Sequence, residues 1–267
     1  MAHLGVLKVL EQNGIYVDMV AGTSAGAMTG TLFASGMTVE HVIESFMKDL
    51  RLPWIFRRLP AGGYWYLMYK YRRGLFEPML RKYLGDTRLE QLPLPMLTVT
   101  VDLVSGGPVV RETGDATRGI LESINLPGLS SPIIGDGEAL VDGGLVNNIP
   151  ADVLVDKGCN FVLASSVTAK LEREFVGILP DQPTQTHGSP SFLKVLLRGH
   201  LVQSFNMNAV GVQPADFVIE PDVTSFDLSE FERTDEMAAI GEQTTVESVA
   251  QIKQLLSKLD PHLFPVT

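Results

Sequence analysis

The chain has one cysteine, Cys159, in 267 residues. An intrachain disulfide and a thiolate metal cluster are therefore both excluded, and a reducing compartment is permitted. Cations are scarce as well: 21 Lys and Arg stand against 31 Asp and Glu, for a net charge of -10. That sign opposes nonspecific binding to nucleic acid, which needs basic groups to neutralise phosphate. No apolar run approaches the ~20 residues that span a bilayer, so no membrane crossing is expected. No internal repeat is present. Nothing resembling a signal peptide precedes the first helical pattern, which already includes Ala2, His3 and Leu4.

Hydrophobic residues make up 45% of the chain and charged residues 19%, with a mean hydropathy of +0.15. This is too apolar for disorder and suits one α/β domain over residues 1–267, built on a buried, mainly parallel sheet between helices. Leu4, Leu7 and Leu10 recur at helical spacing until Asn13-Gly14. The β-branched run from Ile15 to Val20 predicts a buried strand leading into Gly22-Thr23-Ser24-Ala25-Gly26. A helix over Ala25–Ser35 follows, with Thr38 capping the next one. Strands are expected at Met96–Leu103 and Gly107–Val110 as a hairpin, at Ala139–Val141 and at Phe161–Ser165. Residues 171–190 read as a loop. A helix from Phe192 to about Asn208, a strand near Phe217–Ile219 and a helix ending at Leu259 complete the chain.

A Gly-x-Ser-x-Gly turn between strand and helix is a nucleophile elbow, because its glycines permit the tight geometry that lifts a serine hydroxyl above a sheet. Gly22, Ser24 and Gly26 fill those positions. The helix starting at Ala25 adds free N–H groups and the positive end of its dipole beside Ser24, which favours a developing oxyanion. Such a serine needs a base. The five histidines, His3, His41, His187, His200 and His262, have no acid partner that the sequence places beside them. Asp142 ends a strand and is followed by Gly143 and Gly144. Spacing alone leaves it either a turn aspartate or a base whose pKa would have to be raised by burial.

These motifs resemble the patatin-like phospholipase family, in which a Gly-x-Ser-x-Gly elbow and an Asp-Gly-Gly or Asp-Gly-Ala loop form a serine–aspartate dyad. Gly5-Val6-Leu7-Lys8-Val9-Leu10-Glu11 and Asn147-Asn148-Ile149-Pro150 fit the same pattern, with weaker echoes at Val101-Asp102-Leu103 and Leu126-Pro127-Gly128. The likeness is closest to neuropathy target esterase and its bacterial relatives. It implies a three-layer α/β/α fold, Ser24 as nucleophile, Asp142 as base, Ala25 as an oxyanion donor, and no metal or cofactor. It also implies a strand and a Gly-Gly-Gly-x-Arg-Gly loop immediately before the helix that opens this sequence. Both are missing here, so part of the oxyanion hole is expected to be absent and a sheet edge exposed.

From residue 51 to 82 aromatic and basic side chains alternate. Trp54, Phe56, Arg57, Arg58, Trp65, Tyr69, Arg72 and Arg73 form the mixture that docks on anionic head groups, or alternatively a solvated helical cap packed on the domain. The expected activity is hydrolysis of phospholipid or lysophospholipid acyl esters, at the cytoplasmic face of a membrane or in the cytoplasm. Two other readings are a silent lipid-binding or regulatory module and an esterase with a Ser-His-Asp triad using His262.

Overall fold

The computed structural model describes residues 1–50, 72–167, 174–179, 190–226 and 230–264, and of residues 72, 73, 193 and 197 the backbone course alone. The order of elements is α1 (Ala2–Gln12), β1 (Val20–Thr23), α2 (Ala25–Ala34), α3 (Val39–Asp49), α4 (Arg72–Leu84), β2 (Met96–Asp102), β3 (Pro108–Arg111), α5 (Ala116–Ser123), β4 (Ile133–Gly135), β5 (Glu138–Asp142), α6 (Ala151–Asp156), β6 (Leu163–Ser165), α7 (Phe192–Gly211), β7 (Phe217–Ile219) and α8 (Thr234–Leu259). No helix among the described residues is long and apolar enough to cross a membrane. Six of the eight residues expected to touch a membrane, Trp54 to Tyr69, lie outside the described residues, as do the side chains of Arg72 and Arg73 in the first turn of α4.

The organising strand is β2, all seven of whose residues are buried. Strand side chains alternate between faces, and both faces are covered here. Met96 joins the large core of α1 to α5 and α8, and Thr98 lies against Gly119 of α5. Leu97 and Val99 pack on Val153 of α6 from the other side. This is the expected three-layer arrangement. The sheet expected to be mainly parallel is mixed among the described residues: β1 pairs with β2, and β6 with β7, in parallel, whereas β3 and β5 run antiparallel to β2 and β4 antiparallel to β5. The antiparallel pairs β2–β3 and β4–β5 are joined by short turns, while both parallel pairs are joined through helices, as each geometry requires.

The first strand sits later than predicted. It spans Val20–Thr23 rather than Ile15–Val20, in register with Met96–Val99. The partner strand sets this limit: Pro93 and Pro95 precede Met96 and have no N–H to donate to a ladder. Ile15 instead enters a second core with Val6, Leu10, Ile219 and Ile252. Likewise the strand expected over Phe161–Ser165 pairs only from Leu163, while Phe161 packs into that second core.

Along β2 the register settles where the other strands meet. β3 occupies Thr98–Val101, overlapping both the β1 positions (Met96–Val99) and the β5 positions (Thr100–Asp102). A strand has two edges, so β1 and β5 share the one that β3 does not use. They meet there end to end, Thr23 opposite Val99 and Asp142 opposite Thr100. On its outer side β1 has no partner among the described strands. It faces a cavity of about 800 Å³ whose far wall includes Leu163, Ala164 and Ser165 of β6.

Helix α1 reaches this arrangement by lying unusually close to α8. A Cβ on Gly5 would fall 1.9 Å from the Ala238 carbonyl oxygen, and one on Gly241 would fall 2.1 Å from that of Ala2. Gly241→Leu should therefore force the two helices apart and cost about 3 kcal/mol or more, measured as a fall in the urea midpoint at unchanged m-value.

Candidate active site

The end-to-end meeting of β1 and β5 brings the two predicted motifs together. Ser24 follows β1 in the left-handed region, at φ 53° and ψ -116°, a conformation that costs a non-glycine residue of order 1 kcal/mol or more. Two contacts hold it there. Its N–H donates to the Ser123 hydroxyl at 2.8 Å, and Ser123 in turn donates to the Val99 carbonyl of β2 at 2.6 Å. Gly22 is required by close approach, since a Cβ there would lie 2.4 Å from the backbone of Gly26. Gly26 has no such neighbour and borders the cavity beside β1. Helix α2 opens at Ala25, so the N–H groups of its first turn have no acceptor within the helix and point past Ser24.

Asp142 is 1% exposed. Its N–H donates to the Asn125 carbonyl at 2.8 Å, and Asn125 donates through its own amide to the Leu140 carbonyl at 2.9 Å. Oδ1 accepts from the Gly144 N–H at 2.8 Å, whereas Oδ2 has no hydrogen-bond partner. Burial pushes the carboxyl up to about 6, against the opposing pull of the Ser24 hydroxyl and the Gly144 N–H. Ser24 is thus close enough to act on the ionisation of Asp142, yet no bond of normal geometry closes onto Oδ2. Catalytic hydrogen bonds are often open in this way before substrate arrives. Gly143 presses on β2: a Cβ there would lie 2.5 Å from the Val99 carbonyl oxygen.

Several further hydrogen bonds tie the two motifs together. Thr23 donates to the Asn147 carbonyl at 2.7 Å, and the Asn147 amide donates to Asp152 at 2.8 Å. Asn148 donates to Asn208 of α7 at 2.7 Å, while Ser204 donates to the Gly144 carbonyl at 3.2 Å. Asn147 and Asn148 belong to the Asn-Asn-Ile-Pro stretch that carried part of the resemblance, whereas Ser204 and Asn208 carried no signal. Asp102, one of the weaker echoes, has a structural task. The backbone N–H groups of Ala139, Val104 and Ser105 hold its carboxyl well below the usual range, fastening the β2–β3 turn to β5.

No histidine is among the groups that act on Asp142. His3 hydrogen-bonds Ser165 at 2.9 Å, and burial, then the nearby amino terminus, drives its pKa down to about 3, so it stays neutral. His41 stacks edge-on against Tyr83, and His262 is exposed near the end of the chain. His187 lies outside the described residues. Among the described residues no cluster of three His, Cys, Asp or Glu side chains could hold a metal ion.

A strained serine at a strand-to-helix elbow, set against a buried carboxyl from a second strand, defines a class of hydrolase-like sites, and comparison with known proteins gives the family. The patatin-like phospholipase family model matches residues 1–155. The chain belongs to that family. An uncharacterised NTE family protein of Mycobacterium tuberculosis is 28% identical over 256 residues, covering 88% of this chain and 42% of the relative. Neuropathy target esterase sws of Drosophila melanogaster is 32% identical over 170 residues, 62% of this chain and 12% of its own length. Lysophospholipase NTE1 of Candida glabrata is 26% identical over 260 residues, 90% of this chain and 15% of its own. The chain thus spans less than half the length of these curated relatives. The solved structure of the type III effector protein ExoU overlaps 94% of this chain and 50% of its own, at 14% identity and a TM-score of 0.41, too loosely to bear on the fold.

The site yields two stability predictions. Ser123→Ala leaves the Ser24 N–H without its acceptor and should cost about 1–3 kcal/mol in chemical denaturation. Asp142→Asn should stabilise. A carboxyl whose folded pKa is raised from 3.8 to about 6 disfavours folding fully above pH 6, and the penalty fades as pH falls towards 3.8. The variant should gain about 1–3 kcal/mol at pH 7 and nothing at pH 3.5.

Proposed function

We propose that this domain hydrolyses acyl esters of phospholipids or lysophospholipids with Ser24 as nucleophile and Asp142 as base. The observation that carries this reading is the buried Asp142 carboxylate, with one oxygen unpartnered and the Ser24 hydroxyl beside it. A carboxylate whose pKa stands near 6 is mostly ionised at neutral pH and is a far better proton acceptor than an ordinary aspartate.

In the reaction the Ser24 hydroxyl adds to the ester carbonyl carbon as its proton passes to Asp142. The resulting oxyanion lies against the first N–H groups of α2, with Ala25 as donor. Collapse breaks the bond to the alcohol, which leaves with the proton held by Asp142, and an acyl-serine remains. Water then gives a proton to Asp142 and attacks the acyl carbon, and the proton returns to Ser24 as the fatty acid departs. The chemistry calls for no metal. The relatives named as lysophospholipase and neuropathy target esterase support the lipid-ester class.

The cavity between β1 and β6 supports the expectation of a further strand with its glycine-rich loop. An extended segment inserted there would pair with both edges, join the two sheets and run past Gly26, bringing further N–H donors to the oxyanion. A lipid substrate presented at an interface also gives the aromatic and basic residues 51–82 their place, as a membrane contact on the cytoplasmic side.

Ser24→Ala should abolish release of fatty acid from a lysophospholipid, and a fluorophosphonate should label the wild-type chain but not the variant; labelling that persists in the variant overturns the assignment. A binding module would leave both unlabelled. The acid limb of kcat/KM should fall through a pKa of about 6 and vanish from the residual rate of Asp142→Asn. Fusion of a strand and a Gly-Gly-Gly-x-Arg-Gly loop ahead of Met1 should raise turnover by about 10²-fold or more.

A further inference from the structure

The C-terminal half of helix α7 turns small and polar residues inward. On a wheel of 100° per residue, Ser204, Asn208 and Gly211 share one side, and that side faces the Asp142 loop. Ser204 bonds Gly144, Asn148 bonds Asn208, and a Cβ on Gly211 would lie 2.7 Å from the Ile149 carbonyl oxygen. Five exposed apolar side chains lie in the opposite arc, about 140° wide, which also holds Arg198, Gly199 and Asn206. Phe192 is 81% exposed, Val195 49%, Val202 39%, Phe205 44% and Val210 55%. Single exposed apolar residues are ordinary, but five on one arc of a twenty-residue helix are the mark of a contact surface.

Charge indicates what the surface contacts. At the average density of acidic residues in this chain, twenty residues would include about two; α7 has none, and it carries Lys194 and Arg198 in a molecule of net charge -10. Arg198 stands over the Phe175 ring at 5.6 Å, which ties the turn carrying exposed Ile178 to the same face. A helix with an apolar face, cations and no carboxylate suits an interface of acyl chains beneath anionic head groups. It suits an acidic or polar protein surface poorly, because the apolar arc would remain unmatched.

We propose that the outward face of α7 lies on the surface of an anionic lipid aggregate and so holds the Asp142 loop within about one helix diameter, ~10 Å, of that surface. The purpose of this face rests on the lipid-ester reading above, but binding is measurable without turnover.

The test is co-sedimentation of the whole chain with vesicles of phosphatidylcholine alone, or of equal parts phosphatidylcholine and phosphatidylserine. It uses wild type, Ser24→Ala, Phe192→Asp/Phe205→Asp and Lys194→Glu. Wild type and Ser24→Ala should partition alike and prefer the anionic vesicles. The double variant should lose at least about tenfold in partition, and Lys194→Glu should lose only the anionic preference. The double variant should keep the wild-type thermal midpoint and its rate on a short-chain monomeric ester, while its rate on vesicles falls. Unchanged vesicle binding in the double variant overturns the proposal. Loss of fold or of the monomeric rate in that variant overturns it too, since the face would then be part of the core. Failure of wild type to bind any vesicle, with concentration-dependent dimerisation that the double variant abolishes, assigns the face to a second copy instead. Vesicle binding through α7 without hydrolysis would leave this inference standing and remove the lipid-ester reading.

Discussion

One edge of β2 is divided between two strands that approach from opposite directions, and the site depends on that division. β1 arrives in parallel and stops at Val99; β5 arrives antiparallel and stops at Thr100. Neither can advance without displacing the other. The residue leaving each strand is therefore forced out of the ladder at the same point, Ser24 from one side and the Asp142 loop from the other. The proximity of serine and carboxyl is a consequence of strand register, set more than a hundred residues apart in sequence.

Local rules are broken at this junction and largely obeyed elsewhere. A serine takes a left-handed conformation, a carboxyl is buried with an oxygen unpaired, and a glycine is pressed onto a carbonyl. Each is unfavourable alone and persists only where the surroundings over-determine it. Ser123, Asn125 and Asn147 supply that determination through hydrogen bonds into β1, β2 and β5. The same burial that disfavours the Asp142 carboxylate raises its affinity for a proton, so the stability lost and the basicity gained have one physical origin.

Among the described residues, two faces of the domain are incompletely covered, in different ways. Beside β1 lies a cavity bounded by strand edges, which calls for backbone hydrogen bonds and hence for an extended segment. Outside α7 lies an apolar helix surface with no backbone to satisfy, which calls only for removal from water. The first is specific in geometry and the second is not.

Much of this was legible in the order of residues. The elbow glycines, the aspartate followed by two glycines, the β2–β3 hairpin, the Thr38 cap and the end of α8 at Leu259 are all governed by local conformation, which a short stretch of sequence encodes. The start of β1 was misplaced because an apolar run does not reveal where its partner becomes able to pair, and that depended on Pro93 and Pro95. Ser123 and Asn125 carried no signal, since an isolated polar residue near a helix end looks alike whether it faces water or another strand. α7 was readable as a helix, but not which of its sides faces inward. The sequence by itself determined which side chains were chemically equipped, and the tertiary structure alone decided that Ser24 and Asp142 meet, because contact between distant segments is fixed by register and packing rather than by spacing along the chain.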